Sequence, residues 1–328
     1  MKIKTKVLVT QPIHAKGMQM LIDAVEEVVQ APNDRIETLA SLLDDKVEGV
    51  IVRYNVFNRE LIEKAPNLKV IARHGIGVEL IDQEAATEHG VMVVNTPDAA
   101  TVSVAEHVVM MAMVLAKKLF VADAALRKGN YAIKDKYAPD DVEAKTIGLV
   151  GLGRIGREVA CRCRALGMKV IAFDPYMSPP CAQEIGVTLV ETLEELLISA
   201  DFVSMHTPLT PATRHLIGEK QFDLMKPDAY FINCSRGEVV DEEALIQALK
   251  GKKIAGAGLD VFTTEPPSPE NPLFSMDNVI VTPQSSSLTM NGKIKMATGA
   301  VEQLLKVLRG EMPDYLVNTK VFEKVQKN

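Results

Sequence analysis

The apolar run Thr146-Ile147-Gly148-Leu149-Val150 passes directly into Gly151-Leu152-Gly153-Arg154-Ile155-Gly156, and a helical pattern continues to about Leu166. A strand, a G-x-G-x-x-G turn and a helix in that order restrict the fold more than any other segment of the chain. The first glycine permits the tight turn. The second leaves the backbone open to a pyrophosphate, and the third lets helix and strand pack closely. The start of the helix then offers unpaired N–H groups and a partial positive charge to the anion. Asp174 closes the next apolar run, Lys169–Phe173. A carboxylate there accepts from ribose hydroxyls and repels a 2′-phosphate, and no arginine follows it in Asp174-Pro175-Tyr176. The expected ligand is therefore NAD rather than NADP.

The rest of the chain extends this reading. Strand-like runs at Lys6–Thr10, Gly49–Arg53, Val70–Arg73 and Val91–Asn95 alternate with helical stretches such as Lys16–Val29 and Asn58–Ala65. Past Phe173, four further runs follow at Phe202–Met205, Tyr230–Asn233, Ile254–Leu259 and Val279–Val281, giving six strands in this half of the chain. Thr192-Leu193-Glu194-Glu195 predicts a capping box. One long helix is expected from Thr101 to Lys128, stopped by Gly129 and Asn130. Alternation of this kind implies parallel sheets with helices on their faces. The expected fold class is α/β, with two Rossmann-like doubly wound parallel-sheet domains. The expected boundaries are 1–100 plus 290–328 for a substrate-binding, flavodoxin-like domain, and 101–289 for the NAD-binding domain. The helical tail Lys293–Leu308 is expected to return to the first domain.

Charge and cysteine usage narrow the partners. A net charge of -6 argues against nucleic acid and against an anionic membrane surface. No apolar run is long enough to span a bilayer and no signal-peptide pattern opens the chain, so the cytoplasm is the expected location. Cys161 and Cys163 resemble a metal pair only superficially, because residues two apart on a helix face different ways. With Cys181 and Cys234 they fit small side chains in a reducing compartment, and no metal is expected.

In an open parallel sheet, ligands sit beyond the carboxyl ends of the strands. Polar and special residues follow strand after strand here: His206-Thr207-Pro208, Cys234-Ser235-Arg236, Asp260 and Pro283-Gln284. The expected cofactor contacts are Val104, Gly151, Gly153, Arg154, Ile155, Gly156, Asp174, Thr207, Pro208, Thr213, Cys234, Ser235, Arg236 and Asp260. Arg236 also suits a substrate carboxylate, because its planar fork makes two bonds to one.

The chain resembles the D-2-hydroxyacid dehydrogenase family, in particular its phosphoglycerate dehydrogenase-like members. The residues that carry the resemblance are the Gly-rich turn through Asp174, Asn233-Cys234-Ser235-Arg236-Gly237-Glu238, and Gly258-Leu259-Asp260-Val261-Phe262 leading to Glu265-Pro266-Pro267. Arg73-His74-Gly75-Ile76-Gly77-Val78 looks like the family's substrate loop, and Ser103-Val104-Ala105-Glu106-His107 like the start of its interdomain helix. The resemblance implies hydride transfer between a small 2-hydroxy acid and its 2-keto acid. It also implies a homodimer formed through the cofactor domains. It makes Arg236 the substrate-binding arginine and Glu265 the acidic partner of a catalytic histidine, with Gly75, Ile76 and Gly77 holding the substrate carboxylate. Arg53 and Arg73 resemble positions that contact a substrate phosphate, which points to a doubly anionic acid.

One departure bears on the chemistry. The family's histidine belongs in a Thr-Pro-His segment, and this chain reads Thr282-Pro283-Gln284-Ser285-Ser286-Ser287. Glutamine donates a hydrogen bond but does not release a proton near neutral pH. His74, His14 and Tyr54 are the other candidate donors. The alternative function is a catalytically weak NAD(H)-binding sensor or interaction protein.

Overall fold

The computed structural model describes residues 2–322, which form two compact units. Among the described residues, the first comprises 2–100 with 288–322 and the second comprises 101–287.

The sheet of the first unit contains β1 (Ile3–Val9), β2 (Val25–Gln30), β3 (Val47–Val52), β4 (Val70–Arg73) and β5 (Met92–Val94). The strands are parallel and run in the order β2-β1-β3-β4-β5. Chain order reverses beside β1, so the residues after β1 and β3 emerge at a switch point, where such sheets bind ligands, and the loop after β4 leaves the same edge of the sheet one strand away. One expectation fails here. Val25–Gln30 is a strand, whereas the pattern Lys16–Val29 predicts helix through most of it; the helix ends at Ala24. Three valines in six residues favour the pleated state, and pairing with β1 satisfies the backbone. The helix Met290–Leu308 packs on this sheet. Ala300, Val301 and Leu304 lie at helical spacing and are buried against Val7, Ile51 and Val70, while Ala297 meets Gly17 of the first helix. Each large apolar side chain so buried is worth about 1.5–3 kcal/mol, which is why the tail returns to this unit.

The sheet of the second unit contains β6 (Thr146–Val150), β7 (Lys169–Phe173), β8 (Thr188–Leu189), β9 (Phe202–Met205), β10 (Tyr230–Asn233), β11 (Gly256–Leu259) and β12 (Val279–Val281). The order is β12-β11-β10-β9-β6-β7-β8, again all parallel. There are thus seven strands instead of six. The extra one, β8, is a two-residue edge strand too short to leave a pattern in sequence. β6 lies between β7 and β9, which puts the Gly-rich turn at the switch point. The long helix is also broken. Thr101–Ala116 and Leu119–Arg127 are separate, because Lys118 takes a left-handed conformation with φ 47°. No helix among the described residues is long and apolar enough to cross a membrane.

Candidate active site

The Gly-rich turn has the geometry its sequence implies. Gly151 holds φ +101°, and a Cβ there would lie 2.9 Å from the carbonyl oxygen of His206. Gly153 faces open space, with no atom within 4 Å of the place a Cβ would occupy. The helix Arg154–Ala165 starts at Gly153 without a side-chain cap. Elsewhere in this unit Thr192 and Asp241 cap their helices by accepting the N3 amide. Uncapped amides beside a side-chain-free backbone make an anion site. Asp174 braces the turn, its two carboxylate oxygens accepting from Leu152 N at 2.7 Å and Tyr176 N at 2.9 Å. Each oxygen keeps acceptor capacity for a ribose hydroxyl.

Next to the turn, β9 is followed by His206-Thr207. His206 Nε2 and Thr207 Oγ1 are buried and meet no partner. Burial lowers the His206 imidazole to about 4. Unsatisfied buried polar atoms cost about 1–3 kcal/mol each, and such atoms at a ligand site mark groups that a ligand can satisfy. Thr213 is spent locally instead, donating to Pro208 O at 2.6 Å within its own turn. Val104 and Cys234 are buried, with Cys234 Sγ 3.8 Å from Met111 Sδ.

The loop after β10 is set by Asn233. Its Oδ1 accepts from Ser235 N and Ser235 Oγ, and its Nδ2 donates to Arg236 O at 2.8 Å. Gly237 is required by contact rather than conformation, since a Cβ there would fall 2.0 Å from Phe262 backbone atoms. This close approach brings Arg236 within electrostatic reach of Glu265. Glu265 Oε1 accepts from Phe262 N at 3.1 Å. Desolvation raises its carboxyl above the ordinary range, against the Phe262 N–H and Arg236, which lower it.

Asp260, at the end of β11, is fully buried and organises the last loop. Its carbonyl accepts from Gln284 N, Oδ1 from Ser285 N, and Oδ2 from Ser286 N, at 2.9, 2.8 and 2.9 Å. Gln284 itself takes φ +49° and its side chain is exposed. Sequence reasoning did not anticipate two residues attached to this cluster, His107 and Thr282. They are 175 positions apart, and nothing local marks either one.

In the first unit, the loop after β4 is braced from within. Arg73 Nε donates to Gly77 O at 2.6 Å and Nη1 to His74 O at 2.8 Å. Gly75 N is already committed to Arg73 O at 3.0 Å and Thr96 Oγ1 at 3.1 Å. That corrects the expectation that Gly75 offers its amide to substrate. Among the described residues the amides of Ile76 and Gly77 meet no acceptor, so the open pair lies one step further on. Arg53 Nη1 donates to Pro12 O, and its buried Nε has no partner. Tyr54 lies under the Arg53 guanidinium at 4.8 Å. His74 is 4% exposed with neither ring nitrogen bonded, and burial, helped by Arg53 and Arg73, lowers it to about 4. His14 caps the first helix by accepting from Lys16 N, a structural role. Among the described residues no group of three or more His, Cys, Asp or Glu is placed to hold a metal. Cys161 is exposed and Cys163 buried.

Comparison with known proteins identifies the family and the fold. Residues 109–286, more than half of the chain, fit the model of the D-isomer specific 2-hydroxyacid dehydrogenase, NAD binding domain. A D-3-phosphoglycerate dehydrogenase of Methanocaldococcus jannaschii is 44% identical over 95% of this chain and 59% of its own length. A glyoxylate reductase of Thermococcus litoralis is 37% identical over 97% of this chain and 98% of its own. The TT0316 protein of Thermus thermophilus superposes with a TM-score of 0.88 at 35% identity, covering 95% of this chain and all of the other. The chain belongs to the D-isomer specific 2-hydroxyacid dehydrogenase family, and its second unit is that family's NAD-binding domain. It spans rather more than half the length of the first two phosphoglycerate dehydrogenases it matches.

Proposed function

We propose that this protein is an NAD-dependent oxidoreductase that interconverts a small 2-hydroxy acid and its 2-keto acid, and that the acid carries a second anionic group. The observation that carries the reading is the uncapped turn at Gly153 beside Asp174, in the same unit as Arg236 at the end of β10. NAD, when bound, accepts or supplies the hydride. The residues that would hold it are Gly151, Gly153, Arg154, Ile155, Gly156, Asp174, Thr207 and Ser235; Asp260, buried and bonded to its own loop, shapes the site from beneath. The acid at Asp174 favours NAD over its 2′-phosphorylated form.

Arg236 is assigned to the substrate carboxylate and to polarising the reacting carbonyl. Within the first unit, the open amides of Ile76 and Gly77 are donors suited to a carboxylate. Arg53, with an unpartnered Nε, is assigned to the second anion; Arg73 works mainly by holding the loop. The family relatives named above act, by their names, on a phosphorylated acid and on glyoxylate, and Arg53 favours the former class. Gln284 stands where the family's histidine is expected and donates a hydrogen bond to the carbonyl without releasing a proton.

The test is Gln284→His. NADH oxidation is followed over a panel of 2-keto acids, with NADH affinity as control. A gain of roughly 10² to 10⁴ with unchanged affinity is expected, because a general acid contributes about that much. The same experiment separates the second reading, a weak NAD(H)-binding protein, which is favoured by the exposed Gln284 side chain. That reading predicts NADH binding with no turnover of any keto acid in either form.

The partner we assign is a second copy of this chain, joined through the NAD-binding units. The helix Leu119–Arg127 buries none of its residues although Leu119, Phe120, Val121 and Leu126 lie on it. Phe120 is 59% exposed. An apolar helix left uncovered marks an association surface. Phe120→Glu should convert a dimer to a monomer by light scattering, with NADH affinity retained.

A further inference from the structure

Thr282 Oγ1 lies 2.5 Å from Asp260 Oδ1, and His107 Nε2 lies 3.1 Å from the same hydroxyl. The proton positions follow from counting. A carboxylate only accepts, so the one hydroxyl proton of Thr282 points to Asp260. The short distance is that of a charge-assisted bond. The hydroxyl then offers only lone pairs to the imidazole, and His107 must carry its proton on Nε2. At 3.8 Å from Oδ1, Nε2 is too far to bond Asp260 itself. Burial, partly offset by Asp260, lowers the His107 pKa, so the ring is neutral near pH 7 and the Nε2–H tautomer is fixed by the chain of bonds.

Asp260 is the point where this chain meets three successive amides, those of Gln284, Ser285 and Ser286. The wrapping holds Gln284 at φ 49°, a left-handed conformation that a non-glycine residue rarely adopts. We propose that His107 and Thr282 are positioning residues. They orient the Asp260 carboxylate, and through it set the backbone on which Gln284 is presented. The helix Thr101–Ala116 thereby helps position a loop 175 residues further along the chain. Only the kinetic arm of the test below rests on the oxidoreductase reading.

The first measurement needs no activity. In a 15N-edited spectrum of the whole protein, His107 should be the Nε2–H tautomer; an Nδ1–H tautomer would overturn the proposal. Thr282→Val, close in shape but without the hydroxyl, should speed amide exchange at Ser285 and Ser286. Thr282→Ser should restore it, and unchanged exchange in the valine variant would also count against the chain. In the kinetic arm, Thr282→Val and His107→Phe should each lower turnover roughly tenfold or more, as small misplacements do, with the keto-acid KM little changed. His107→Gln, which keeps a donor near the Nε2 position, should recover most of the loss. The double variant should be no worse than either single one; independent, multiplying losses would show that the two residues do not act in one chain. If the wild type turns over no keto acid, the tautomer and exchange results still decide the matter.

Discussion

Gly75-Ile76-Gly77 and Gly151-Leu152-Gly153 have the same spacing, and both follow a parallel strand, the second at its sheet's switch point. The first glycine of each has positive φ, +135° and +101°. They differ in what comes next and in the charge that braces them. The second runs into an uncapped helix and is tied by the carboxylate of Asp174. The first runs into a turn and is tied by the guanidinium of Arg73 and by Thr96. An acid beside a glycine loop accepts from hydroxyls and suits a nucleoside. Bases beside one suit a small anion. The G-x-G spacing alone therefore does not say which ligand a loop takes.

The comparison can be broken most directly at Gly151. Gly151→Ala should weaken NADH binding on the order of 100-fold by calorimetry, since strain of this kind costs about 1–3 kcal/mol. An unchanged affinity would mean the turn tolerates a side chain and is not the pyrophosphate site.

Acid stability sharpens it next, because each unit buries one neutral histidine, His74 in the first and His206 in the second. Burial lowers both to about 4 from the ordinary imidazole value of 6.5. Above pH 6.5 neither ring is protonated in either state, so neither affects the pH dependence of stability. As pH falls from 6.5 to 4 the unfolded chain binds the proton first, and stability is lost. Each site accounts for on the order of 3 kcal/mol over that window. His74→Leu and His206→Leu should each flatten the slope of denaturation midpoint against pH; an unaltered slope would show the ring is not held neutral.

The smallest expected effect separates the two arginines of the first unit. Arg53→Ala should raise KM roughly tenfold for a doubly anionic keto acid and little for a singly charged one, the loss of one charge-assisted bond. Arg73→Ala should raise both alike, because its bonds go to its own loop. Equal effects from Arg53→Ala on both acids would remove the second-anion assignment.

Much of this was legible in the residues themselves. The Gly-rich turn through Asp174 needs only local order, strand then turn then helix, and the structure reproduces it. The runs at β4, β6, β7, β9 and β10 were readable because strands buried on both faces are continuously apolar. β2 was not, because Val25, Val28 and Val29 have helical spacing and only its partner β1 decides. The break at Lys118 likewise carries no glycine or proline to announce it.

At the site, the sequence determined which chemistry was present: Gly153, Asp174, Arg236, Glu265 and the substitution at Gln284. Tertiary structure decided which atoms were already spent. Thr96 takes the Gly75 amide, Arg73 is turned onto its own loop, and Asp260 gathers three amides with Thr282 and, beyond it, His107. The physical reason is that a motif records local backbone needs, which spacing encodes. A hydrogen bond between residues 175 apart depends on where the helix and the strand end come to rest, and no spacing encodes that.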